Sequence, residues 1–345
     1  MSGLGVGVIG VGTLGKRHAE NLRFLIPEAR LVAVADADGK RAAQVAAELG
    51  VEHSYDRIEG LLARNDLHAV VIASPSKFHA SATEAAAAAG KHVFCEKPAG
   101  LTIEEAEAAM KMVAKAGVQL QIGFMRRYDP AYATAKKRIE AGEIGDPVIF
   151  KSLGRDRQPP PLSFFQSGIN GTLFADSAIH DFDLARWLMR DEVSEVQAVA
   201  GAVTCPELVK FGDVDSCLVN LRFTRGGIGN VEAFRQSRYG YDIRTEIVGT
   251  QGTLQIGYLR QTAALVLTAS GAAYDVVDHW LVRFREAYLN ELRDFVQAIL
   301  AGGPVKVCGE DGWQALKVSL AAERSYRESR SISLDGAASA PRTGT

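Results

Sequence analysis

The chain is 345 residues long, more than one compact core usually takes and enough for two domains. Hydrophobic residues make up 47% and charged residues 23%, an ordinary globular balance, and no run of about 18 apolar residues marks a membrane span. The 39 basic and 41 acidic side chains cancel to a formal charge of −2 without a basic block, which excludes the electrostatic footprint of a nucleic-acid binder.

The first residues lack a charged leader segment and already read as a strand, so a secretory signal is not expected. Over residues 1–125 short β-branched runs alternate with Ala/Glu/Lys/Leu-rich segments. The runs are Val6–Ile9, Leu31–Ala35, Ala69–Ala73, His92–Cys95 and Gln119–Gly123; Lys40–Leu49, Ser81–Ala89 and Ile103–Ala116 lie between them. This alternation predicts βαβ units and a doubly wound parallel sheet. From about Arg126 the texture changes. A helix over Ala131–Ala141 leads through a Pro/Gly-rich stretch to a helix near Asp176–Met189. From Glu195 to about Val277 strands follow one another without intervening helices, which predicts an open, mainly antiparallel sheet. Cys217–Phe223 sets Val219, Leu221 and Phe223 against Asn220 and Arg222, and Gly226-Gly227 and Gly249–Gly252 read as hairpin turns. Phe284–Leu300 returns to helix with Phe284, Leu289, Leu292, Phe295, Val296 and Ile299 on one stripe, and a last helix is expected over Asp311–Arg327. The expected division is 1–125, 126–335 and a frayed tail over 336–345. Cys95, Cys205, Cys217 and Cys308 lie far apart without a CxxC or Cys/His pairing, the pattern of free thiols in a cytosolic protein.

The first chemistry-bearing motif is Gly10-Val11-Gly12-Thr13-Leu14-Gly15. GxGxxG alone is weak in a chain with 34 glycines. Here an apolar strand precedes it and a helix-competent run, Lys16–Leu25, follows. The first glycine permits the tight turn, the second lets backbone approach a pyrophosphate, and the third lets helix pack on strand. The helix start offers N–H groups and a positive dipole end to the phosphates. Asp36 ends the second strand about twenty residues on, where a carboxylate accepts from a ribose 2′-OH and repels a 2′-phosphate. With Ala37 and Asp38 next, the expected cofactor is NAD. Ser74 and Pro75 close another strand at the crevice edge and are expected at the cofactor. His79 reads equally as a cofactor contact or as a helix-start residue packed on that loop.

Glu96-Lys97-Pro98 follows a buried strand, with Pro98 fixing the exit direction. Lys97 reads either as a solvated strand-end cap or as a cation beside the cofactor that holds a substrate hydroxyl. Further on, Asp176 and His180 are four apart and share a face of a helix. A histidine with a carboxylate beside it suits proton removal from an alcohol, although such pairs also stabilise helix starts.

Together the glycine turn, Ala73-Ser74-Pro75 with His79, Glu96-Lys97-Pro98 and the Asp176/His180 helix resemble the Gfo/Idh/MocA oxidoreductases. Gly123-Phe124-Met125-Arg126-Arg127-Tyr128-Asp129-Pro130 and Tyr239-Gly240-Tyr241-Asp242-Ile243 are similar to the inositol 2-dehydrogenases among them. The resemblance runs from Gly5 to roughly Arg330. It implies a catalytic set of Lys97, Asp176 and His180: His180 accepts the proton, Asp176 orients the ring, and Lys97 holds the substrate oxygen. It also implies Glu96 and Lys97 beside the cofactor, Arg127 and Tyr241 at substrate hydroxyls, and a homotetramer built on the open sheet. One region departs from the pattern: Asn170-Gly171-Thr172 stands where a Gly-Gly pair is common in inositol enzymes. Thr172 and the Gly154–Ser167 loop, with Asp156, are where substrate choice is expected to be set.

The leading expectation is an NAD-dependent inositol dehydrogenase of the cytoplasm acting on myo-inositol or a stereoisomer. Scyllo-inositol or an aldose presented as a pyranose shares the chair and its equatorial hydroxyls. A non-catalytic dinucleotide sensor is the alternative from another class. The remaining histidines, His18, His53, His68, His92 and His279, show no metal-ligand spacing, and no metal is expected.

Overall fold

The computed structural model describes residues 3–334 apart from Ser167, Tyr258, Leu259 and Ala263; the expected tail at 336–345 lies outside the described residues. Six strands form the first sheet: β1 (Leu4–Ile9), β2 (Ala29–Ala35), β3 (His53–Tyr55), β4 (Ala69–Ile72), β5 (His92–Glu96) and β6 (Leu120–Gly123). They pair in parallel in the order β3-β2-β1-β4-β5-β6. β1 and β4 are buried along their whole length, as strands covered on both faces must be. The helices between them are α1 (Thr13–Phe24), α2 (Gly39–Leu49), α3 (Ile58–Leu62), α4 (His79–Ala88) and α5 (Ile103–Ala116). Their ends follow local chemistry. Asp38 caps α2 through the N–H groups of Lys40 and Arg41, and Thr102 with Glu105 forms a capping box on α5. β3, three half-exposed residues, carries too short an apolar run to be read from sequence.

After Arg126 come α6 (Pro130–Glu140), β7 (Pro147–Arg155), α7 (Ser163–Gln166), a π-helical turn over Phe174–Ala178 and α8 (Ile179–Met189). Then follow β8 (Val193–Gly201), β9 (Ser216–Phe223), β10 (Ile228–Phe234), β11 (Asp242–Gly249) and β12 (Thr253–Ile256). A small hairpin of β13 (Val266–Thr268) and β14 (Gly271–Ala273) leads to α9 (Trp280–Arg283), α10 (Arg285–Leu300), α11 (Gly309–Glu328) and β15 (Ile332–Ser333). The second sheet runs β12-β11-β7-β10-β9-β8-β15. Every neighbouring pair in it is antiparallel except β7 with β10. β9 alternates buried and exposed residues as its sequence pattern requires, and both expected hairpin turns are present. β7, in the middle of this sheet, falls in the stretch read as Pro/Gly-rich connection. Its residues are mostly half-buried, so their alternation is weak.

The chain divides into two compact units. One comprises residues up to Met125 with Tyr288–Leu316, and the other Arg126–Ala287 with the segment from Lys317. The expected continuous second segment, 126–335, is therefore interrupted. The cause is the apolar stripe of α10: Leu292, Phe295 and Val296 are fully buried in one cluster with Leu4, Val6, Val71 and Phe94.

α10 also carries an acid into that interior. Glu291 is fully buried, and among the described residues neither of its carboxyl oxygens has a hydrogen-bond partner. His18 on α1 and Glu96 at the end of β5 stand beside it, their ligand atoms and that of Glu291 all within 4.8 Å of one another. Burial, and then the charge of Glu96, push the Glu291 carboxyl well above the usual carboxylate range. A raised folded-state value means that stability is fully present below the unfolded value of about 4.3 and is lost as pH rises through the folded value. Glu291→Gln, neutral at every pH, should therefore raise the melting temperature by roughly 3–6 °C at pH 8 and little at pH 5, read by thermal denaturation. An equal shift at both pH values would show that the acid is not the cause.

Candidate active site

At the end of β1 the chain turns at Gly10, whose φ is +84°. A Cβ there would lie 2.5 Å from the Ser74 nitrogen, and one on Gly15 would lie 1.8 Å from the Gly10 carbonyl oxygen. Only glycine allows this turn, this strand approach and this helix packing together. Among the described residues a Cβ on Gly12 would meet nothing within 4 Å, so its backbone faces open space of the kind a phosphate needs. Gly12 caps α1 without a side-chain hydrogen bond, and the first turn from Thr13 and Leu14 carries no acid. The arrangement suits an anion.

Asp36 follows β2. Its carboxylate accepts from Val11 N and Asp38 N, each at 2.9 Å, which aims it beside the glycine turn. Arg41, from the first turn of α2, reaches Asp36 at 3.5 Å and Asp38 at 3.2 Å. Ala37 and Asp38 follow Asp36 in the chain, and one helical turn supplies an arginine from five residues on. The glycine turn and Ser74 lie at the ends of β1 and β4, where the strand order reverses and a doubly wound sheet opens its ligand crevice. Pro75 follows on the same loop.

His79 starts α4 but is only 2% exposed. Its two ring nitrogens lie 2.7 Å from the carbonyl oxygens of Pro98 and Ser74, and burial pulls its pKa down. These contacts pack its ring against the loop that holds Ser74 and Pro75. Glu96 is likewise buried, with its carboxylate 2.7 Å from His18 Nε2, and Lys97 follows it half-buried at the strand end.

In the second unit the π-helical turn holds Asp176, and His180 lies in the first turn of α8. Such i→i+5 turns recur at functional sites. Arg235, fully buried, donates to Asp176 Oδ2 at 3.4 Å and to Asp213 Oδ2 at 3.2 Å. Asp213 Oδ1 in turn accepts from Leu173 N at 2.8 Å, so the same acid also holds the start of the π-turn. Burial raises the Asp213 pKa against the pull of Arg235.

The two arginines after β6 brace α8. Arg126 donates to Asp181 at 2.6 Å, and Ser152 reaches the same oxygen at 2.5 Å. Arg127, expected at a substrate hydroxyl, spends Nε and Nη2 on Asp183 at 2.9 and 2.5 Å and lies over the Trp187 ring. Breaking such a buried pair costs about 3–5 kcal/mol. Tyr241 is buried beside Arg126, and burial pushes its phenol well up, so it stays a neutral donor. Thr172, also expected near substrate, donates its hydroxyl to Glu323 at 2.8 Å. Asp156 ends β7 through its backbone, pairing with Phe234 and Ser237, and its carboxylate is close enough to raise the Tyr241 phenol.

Sequence reasoning missed Arg126, Arg235, Asp181 and Asp213. Each looks like an ordinary charged residue until folding supplies its partner. It also read no metal-ligand spacing for His18, which folding brings together with Glu96 and Glu291 from distant segments. The 2.7 Å between His18 and Glu96 is a hydrogen bond; two ligands of one tetrahedral zinc stand about 3.3 Å apart.

Residues 4–124 match the oxidoreductase family with an NAD-binding Rossmann fold, and residues 132–255 match the GFO/IDH/MocA C-terminal domain. The chain is 41% identical over 328 residues to the scyllo-inositol 2-dehydrogenase (NAD(+)) of Bacillus subtilis, covering 95% of both chains. It is 38% identical to the myo-inositol 2-dehydrogenase of Thermotoga maritima, covering 96% of this chain and 98% of that one. Among solved structures, scyllo-inositol dehydrogenase from Lactobacillus casei with bound NAD(H) and scyllo-inositol superposes with a TM-score of 0.91 at 33% identity, over 96% of this chain and 99% of that one. With both domains matched and relatives aligned over almost its full length, the chain belongs to the Gfo/Idh/MocA oxidoreductase family.

Proposed function

We propose that the protein is an NAD-dependent inositol dehydrogenase that oxidises a ring hydroxyl of a cyclohexane polyol to the ketone. What carries the reading is the presence of Lys97, Asp176 and His180 in a chain matched over 95% of its length by an inositol dehydrogenase. Bound NAD supplies the hydride acceptor. The chain's own residues supply the rest. The glycine turn and the start of α1 take the pyrophosphate, and Asp36 takes the ribose diol. Ser74 and Pro75 line the crevice, while His79 and Glu96 serve the cofactor through the loops they hold.

His180 accepts the hydroxyl proton as the C–H bond gives up its hydride, and the imidazolium formed is stabilised by Asp176. Arg235 keeps Asp176 oriented for that task. Lys97 donates to the reacting oxygen, whose negative charge grows as the proton leaves. Tyr241 and Asp156 offer a donor and an acceptor to neighbouring hydroxyls. Arg127 and Thr172, engaged with Asp183 and Glu323, support the substrate side as frame. Leu218, Ile228 and Val199 are exposed on the second sheet, which favours a homotetramer assembled there. Four free thiols favour a cytoplasmic enzyme, and among the described residues no helix is long and apolar enough to cross a membrane.

Asp36→Ala should weaken NAD binding at least tenfold in equilibrium titration while NADP binding holds or improves, because Arg41 is then released to a 2′-phosphate. Equal losses for both would remove Asp36 from cofactor choice. Against myo-, scyllo- and D-chiro-inositol and several aldoses, NADH absorbance should appear with an inositol. His180→Ala should cut turnover about a hundredfold or more, and Lys97→Ala should nearly abolish it, each with NAD affinity little changed. Turnover with aldoses alone, or undiminished turnover in either variant, would contradict the assignment.

A further inference from the structure

Lys97 stands between two residues that are each gripped by a buried histidine. Before it, Glu96 pairs with His18 Nε2 at 2.7 Å; His18 is 0% and Glu96 4% exposed. After it, the Pro98 carbonyl oxygen lies 2.7 Å from His79 Nδ1. Both grips lead back to the nucleotide loops. His18 rides on α1, which starts at the glycine turn, and the second nitrogen of His79 lies 2.7 Å from the Ser74 carbonyl oxygen.

We infer that His18 and His79 are positioning residues that clamp the backbone on either side of Lys97 and so set where its amine stands against the glycine turn. The inference rests on the reading of Lys97 as the group that holds the reacting oxygen. A lysine ammonium sits on a flexible four-carbon stem, so its precision has to come from its backbone and surroundings. A misplacement of about 1 Å in a reacting constellation can cost roughly a hundredfold in rate. The surroundings of the clamp are built to hold it. The His18 ring meets Phe94 and Tyr288 edge-on at 5.5 and 5.9 Å, which fixes its plane. A Cβ on Gly123 would fall 2.9 Å from Glu96 Oε2, so glycine there keeps room for the carboxylate.

The test uses the full-length protein and three readouts: turnover with inositol, NAD affinity, and the rate at which limiting acetic anhydride labels the Lys97 amine, followed by peptide mass spectrometry against exposed Lys137. His18→Leu removes the donor, whereas His18→Gln can still present an N–H to Glu96. His18→Leu should lower turnover at least tenfold and change relative Lys97 labelling at least threefold, with NAD affinity within threefold. His18→Gln should recover most of both. If His18→Leu does not fold, Gly123→Ala, which crowds the Glu96 carboxylate, should give the same signature. Wild-type labelling and turnover in the variant that folds, or equal defects in the Leu and Gln variants, would overturn the clamp. Altered labelling with unchanged turnover would uphold the clamp and remove Lys97 from the chemistry.

Discussion

At the junction of β1 and β4, backbone meets backbone: Gly10 comes so close to Ser74 that a single added carbon would sit 2.5 Å from its nitrogen. The rest of the nucleotide unit depends on that approach. It opens the turn through which α1 begins at Thr13, leaves the Gly12 backbone facing open space, and brings Val11 N within 2.9 Å of Asp36. The same loop returns through His79 to Pro98, so the place of Lys97 is referred to the same junction. The core beneath it is the apolar β1/β4 pair and the α10 stripe, which explains why a segment almost three hundred residues along the chain belongs to this unit.

The second unit solves a different problem. Its helix α8 is buried on nearly every side yet carries Asp181 and Asp183, charges that would cost several kcal/mol each without partners. The Arg126-Arg127 pair answers both, and Asp129, two residues on, accepts from Arg283 at 2.6 Å. The motif that resembles a substrate signature thus also forms an ion-pair frame that braces α8, the helix that carries His180. Arg235 does the corresponding service for the π-turn, between Asp176 and Asp213.

Much of this was legible in the sequence. Strands β1, β2, β4, β5 and β6 declared themselves by apolar runs, β9 by its alternation, and α5 by residues suited to a helix; Asp36 and the glycine turn were placed by spacing. The unread parts share a cause. β3 and the half-buried β7 carry too little pattern for periodicity to register. A π-turn differs from an α-turn by one residue of hydrogen-bond register, and Phe174–Ala178 has no composition that marks it. The partners of Arg126, Arg127, Arg235 and His18 lie tens of residues away or more, so only the fold could show which acid each arginine meets or that Thr172 donates to Glu323.

In the proposed reaction a ring carbon of an inositol gives its hydride to NAD while His180 takes the hydroxyl proton. It is tested most directly by following the label from ring-deuterated inositol into the reduced cofactor by mass spectrometry and NMR. One deuterium per NADH, bonded at C4 of the nicotinamide, is the expected result. Unlabelled NADH, with the deuterium recovered in water, would contradict it.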